Sequence, residues 1–144
     1  MKGFNMGYHT DFSGKLSFTR PLTSEQKTYL NTILGEWCVK HPEWNVPHLR
    51  YGVDLKLLDD ESGLKWNGAE KTYDMDQIVQ LIIRLMQEKF PDFGLTGKLI
   101  AQGESIDDRW QLYIENGEVK TKDLAIEGKE IECPHCHRTF VYDQ

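Results

Sequence analysis

The sequence predicts an α+β fold, a mainly antiparallel sheet with two helices packed on one face. Two segments, 23–41 and 74–90, carry apolar residues at the 3.6-residue period of an amphipathic helix, and each runs into a proline. Several shorter segments alternate apolar and polar residues at the period of two expected of half-buried strands. Two turn signals, Asp59 to Gly63 and Asn116-Gly117, join such segments as hairpins.

Taken in order, Gly14 to Arg20 places Leu16, Phe18 and Arg20 on one side and Lys15, Ser17 and Thr19 on the other, a strand ended by Pro21. Thr23-Ser24-Glu25-Gln26 reads as a capping box, in which the Thr23 hydroxyl accepts from an amide and Gln26 reaches back to the cap. The helix it opens has a stripe of Leu30, Ile33, Leu34, Trp37 and Cys38, weakened by Gly35 and stopped at His41-Pro42. Residues 42–48 form a connection. Leu49 to Leu57 has the cleanest strand alternation, and Leu64 to Trp66 returns from an acidic turn. Asp74, with Gln77 three residues on, resembles a second helix cap. Its helix buries Ile78, Leu81, Ile82, Leu85 and Met86. Strands follow at Leu95 to Ala101 and Trp110 to Ile114, and Glu118 to Thr121 pairs back. Residues 1–124 form one α+β domain, and 125–144 a Cys-Pro-x-Cys tail packed on it.

With 39% hydrophobic and 28% charged residues, the chain of 144 residues belongs among globular proteins and can bury a core without disulfides. A net charge of −6 argues against a generic nucleic-acid binder, since phosphate neutralisation needs cations. It suits a partner for basic protein surfaces, or solubility alone. No apolar run approaches the roughly 20 residues that span a bilayer. Residues 1–5 lack a signal-peptide core, so the expectation is a cytoplasmic protein with no membrane partner.

An odd count of three cysteines argues against a disulfide framework. Cys133 and Cys136 have the spacing of a zinc knuckle, in which two thiolates face one ion. Cys38 and His41 stand at i and i+3 and supply a second half-site, with His137 as an alternative ligand. Together they would hold one structural zinc and anchor the tail. Two chains each donating a pair would instead make a homodimer. Cys38 also fits as an ordinary core residue.

Glu104, Asp107 and Asp108 cluster in one turn, and paired carboxylates can serve acid–base chemistry or bind a divalent ion. Solvated turns also account for them. Trp37, Trp66 and Trp110 fall on apolar stripes and are expected in the core, whereas Trp44, flanked by prolines, is the candidate exposed anchor. The phosphate-binding glycine motifs, the zinc-protease helix motif and the serine nucleophile elbow are all missing from the sequence.

Three segments carry a resemblance. They are Gly14-x-x-x-Phe18-x-x-Pro21-Leu22-Thr23, then Trp66-Asn67-Gly68-x-Glu70-Lys71-x-Tyr73-Asp74, then Leu95-x-Gly97 with Gln102-Gly103-Glu104-x-x-Asp107-Asp108. Over residues 8–121 the chain resembles a family of small uncharacterised bacterial and phage proteins. This chain has Asn67, Thr72 and Ser105 where that family usually has Asp, an aromatic residue and Asp. The resemblance implies no activity, but its setting implies an accessory or host-modulating role.

The expectation is therefore a non-enzymatic protein that binds a host or viral protein, an inhibitor of a defence nuclease being one version. Trp44, Glu70, Glu104, Asp107 and Asp108 are its candidate contacts. One alternative is a small carboxylate-based or metal-dependent enzyme using Glu70, Glu104, Asp107 or Asp108. The other is a nucleic-acid module built on the Cys133–Cys136 knuckle, against which the near balance of charges in the tail argues.

Overall fold

A computed structural model describes residues 9–70 and 72–124, together with the backbone of two short strands beyond them. Cys133, Cys136 and His137 lie outside the described residues.

The fold is α+β, as the periodicities predict. Strands β1 (Asp11–Phe18), β2 (Leu55–Leu57), β3 (Gly63–Trp66), β4 (Leu95–Gln102), β5 (Arg109–Glu115) and β6 (Glu118–Asp123) form one sheet in the order β2-β3-β1-β4-β5-β6. Every neighbouring pair is antiparallel. The helices are α1 (Ser24–Asn31) and α2 (Met75–Lys89). Strands β7 (Glu130–Glu132) and β8 (Thr139–Val141) pair separately.

One face of the sheet makes the core. Phe12 and Leu16 from β1, Leu64 from β3, Leu95, Leu99 and Ala101 from β4 and Leu112 from β5 are buried there. Against them α2 lays Met75, Ile78, Val79, Ile82 and Met86, all nearly inaccessible. That apolar burial, at about 25 cal/mol per Å², is the main source of stability. Gln80 of α2 also accepts from the Val119 amide of edge strand β6 at 3.1 Å.

The capping box at Thr23 forms in both directions, with bonds of 2.9 and 3.1 Å to Gln26. The helix it opens is shorter than its stripe predicts, ending at Asn31 rather than near His41. Gly35 takes φ +79°, and the chain then pairs with Val53 instead of continuing the helix. The Gly35 amide donates to the Val53 carbonyl, and the Val53 amide to the Glu36 carbonyl, each at 2.8 Å. Trp37, expected in the core, is consequently 51% exposed.

Trp44 reverses in the other sense. It is 5% exposed, stacks on the His41 ring at 4.1 Å, and its carbonyl accepts from Arg84 of α2. The Pro-flanked connection folds into 3-10 turns at Cys38–Lys40 and Pro42–Trp44, which turn the indole inward. Of the Leu49 to Leu57 alternation only Leu55–Leu57 is a strand, although Leu49 and Val53 are buried as expected. Asp74 precedes α2 in a left-handed conformation, φ 56°, and its side chain makes no capping bond.

Candidate functional site

The antiparallel register gathers the sequence motifs at one end of the sheet. The start of β1, the end of β4 and the start of β5 are neighbours there, through the pairs Asp11 with Gln102 and Gln102 with Arg109. His9 ties the segments together. Its Nδ1 donates to the Glu70 carbonyl at 2.7 Å, and its Nε2 lies 2.5 Å from Asp11 Oδ1. The Asp11 hydrogen bond, then the Glu70 carbonyl, raise the His9 pKa, and the charge on Glu104 adds to this. Phe12 lies beside Trp66 at 5.7 Å and beside Trp110 at 6.0 Å, so the two motif segments share an aromatic floor.

A part-buried polar relay holds the Trp66 segment in place. The Trp66 indole donates to Thr72 Oγ1 at 2.9 Å, and Thr72 donates to Asp54 Oδ2 at 3.0 Å. Burial pushes the Asp54 carboxyl up, partly offset by the Thr72 bond. In the acidic turn, the Gly103 amide donates to the Asp108 carbonyl at 2.7 Å, and the Gln102 amide group donates to the Ser105 carbonyl at 3.1 Å.

An open cleft of about 700 Å³ lies beside this end, lined by Asp76, Asp107, Asp108, Arg109, Lys122 and Asp123 among others. It therefore unites Asp107 and Asp108, but Glu70 and Glu104 do not line it. Among the described residues no group of three His, Cys, Asp or Glu side chains is arranged to hold a metal ion.

The first zinc half-site has its own partners. Cys38 is 3% exposed and burial pushes its thiol up. His41 lies at hydrogen-bond distance from Glu36 (Nε2, 3.0 Å) and Glu43 (Nδ1, 2.7 Å), so both ring nitrogens have carboxylate partners. The Glu36 bond, then the Glu43 bond, raise the His41 pKa, and Glu43 is held below the usual carboxylate range by His41.

Two surfaces stand out beyond the predicted residues. The first is apolar. Trp37 and Val39 are each 51% exposed and Tyr51 45%. The Cys38 amide donates to the Tyr51 carbonyl at 2.9 Å, which holds the two segments side by side. Gly52 stands opposite Trp37 and offers no side chain to cover the indole. Tyr73 packs on Tyr51 with ring centroids 4.5 Å apart.

The second is the sheet face turned away from the helices. Register places Lys56 opposite Lys65, Lys15 opposite Lys98, Lys98 opposite Tyr113 and Tyr113 opposite Lys120. Continuing the β1–β3 register by one residue from Leu16 and Leu64 sets Lys15 opposite Lys65. One transverse row, Lys56–Lys65–Lys15–Lys98–Tyr113–Lys120, thus crosses all six strands. Opposed like charges each cost up to about 1 kcal/mol relative to neutral pairs.

The periodicity does put these lysines on the polar phase of their strands, which was the available signal. Which lysine faces which depends on long-range register, and the sequence does not display it. No family model, curated protein or solved structure matches the chain.

Proposed function

We propose that the protein is a non-enzymatic interaction protein that docks a partner protein on the surface of Trp37, Val39 and Tyr51. The observation that carries this reading is the exposure of Trp37, Val39 and Tyr51 on two segments that the Cys38–Tyr51 backbone bond holds side by side. Trp and Tyr are the residue types that dominate interface energetics, and clustered exposure of such side chains marks interaction surfaces. Arg50 and Lys40, both exposed, supply a polar rim. The resemblance to phage and mobile-element proteins supports a host factor as the partner. The anchor is thus Trp37 in place of Trp44, because Trp44 is enclosed between His41 and α2.

The test is a comparative pull-down from host lysate with wild type, Trp37→Ala/Tyr51→Ser, and Lys89→Ala as a control away from the patch. A specific protein retained by wild type and the control, and lost by the double variant at unchanged melting temperature, is expected. Equal retention by all three would refute the surface.

A further inference from the structure

The geometry points to the lysine row as a binding surface for single-stranded nucleic acid, with the strand running across the sheet from Lys56 to Lys120 and Tyr113 as a stacking platform. This goes beyond the protein-docking reading and rests on different residues.

The row is continuous, and its side chains reach the surface among the described residues. Lys15, Lys56, Lys98 and Lys120 are exposed and Lys65 and Tyr113 half-buried, while the helices and the core lie behind the opposite face. Six strands at about 4.8 Å spacing give the row a span of about 24 Å, long enough for several nucleotides. Lys122, opposite Gln111 on the adjacent row, adds a cation at the β6 side.

Few anions offset it. Glu115 lies 3.9 Å from Lys120, and Asp60 feels the charge of Lys15. Glu118 stands opposite Glu115 at one border, and Asp11, engaged with His9, at the other. Among the described residues Lys56, Lys65 and Lys98 form no ion pair. The lysine pairs Lys56–Lys65 and Lys15–Lys98 oppose folding, and a polyanion laid over them would convert that repulsion into attraction. The net charge of −6 is concentrated in part in the motif-end cleft, whose acids Asp107, Asp108 and Asp123 meet this face at Lys122, while the row from Lys56 to Lys98 is lysine throughout.

The shape favours a single strand over a duplex. Within the six strands themselves the face is a broad sheet, with no helix among them to enter a groove. An aromatic ring set among cations is the arrangement on which unpaired bases stack.

The test is fluorescence anisotropy with a labelled mixed-sequence DNA of about 16 nucleotides, titrated between about 50 and about 200 mM salt. Neutralising four or so phosphates predicts a log–log salt slope of about −3. Lys65→Gln/Lys98→Gln is expected to weaken binding and to flatten the slope by about 0.7 per lysine. Tyr113→Ala is expected to weaken binding about tenfold with the slope unchanged. Because Lys65→Gln/Lys98→Gln removes like-charge pairs, its melting temperature is expected to equal or exceed that of wild type, so loss of binding is not loss of fold.

No binding at low salt, or wild-type affinity in Lys65→Gln/Lys98→Gln, would overturn the proposal. So would tighter binding to duplex DNA, to phosphatidylserine vesicles or to polyglutamate than to the single strand. Trp37→Ala/Tyr51→Ser is expected to bind DNA as wild type does, so this proposal and the protein-docking reading fail separately.

Discussion

Thr72 stands between Trp66 and Asp54, accepting from the indole at 2.9 Å and donating to the carboxylate at 3.0 Å. Thr72 is 8% exposed, so neither bond is readily replaced by water. Thr72→Val removes both and is expected to cost about 1–3 kcal/mol in urea unfolding, while Thr72→Ser keeps most of the stability.

The Asp54 carboxyl has its pKa raised above 3.8 by burial. A raised acid favours the protonated folded state, so this group makes stability fall as pH rises from 3.8 through the folded pKa. Asp54→Asn keeps an acceptor for Thr72 and is expected to remove that slope, read from urea midpoints across the acidic range.

His41 behaves in the opposite sense. Its pKa is raised above 6.5 by Glu36 and Glu43, so its contribution is fully present below 6.5 and is lost as pH rises through the folded value. His41→Gln is expected to flatten stability across that window. An unchanged alkaline limb would show that the carboxylates do not hold the imidazolium.

Gly63 pairs with Ser17 at the start of β3, and a Cβ there would overlap the Leu16 carbonyl. The obstacle is backbone, which cannot swing aside. Gly63→Ala is expected to cost about 3 kcal/mol, seen as a lower urea midpoint at unchanged m-value.

Zinc is expected to bind through Cys133 and Cys136. Metal content by native mass spectrometry on protein purified without chelator should be lost in Cys133→Ser/Cys136→Ser. It should persist in His41→Gln, whose wild-type imidazole already faces two carboxylates. Loss of zinc in His41→Gln would instead support the Cys38–His41 half-site. A zinc-bearing dimer would show ligands shared between chains.

Local chemistry made much of the fold legible. The capping box at Thr23 and the strands around Leu16, Leu99 and Leu112 follow from spacing alone, because the apolar phase fixes which face is buried. The misreadings fall where a long-range contact overrides local pattern. Pairing of residues 35–38 with 51–53 ends the first helix early and turns Trp37 outward, and Arg84 with His41 draws Trp44 in. Neither partner is adjacent in sequence. The same holds for the lysine row, whose members are visible one by one but whose alignment is a property of the assembled sheet.

The most direct measurement of the docking claim places a photo-crosslinking amino acid at Val39, which is 51% exposed, and a control at Thr28 on α1. Irradiation in host lysate should give one discrete adduct from position 39 and none from position 28. The same adducts from both positions, or none from either, would contradict a protein-docking surface at Trp37 and Tyr51.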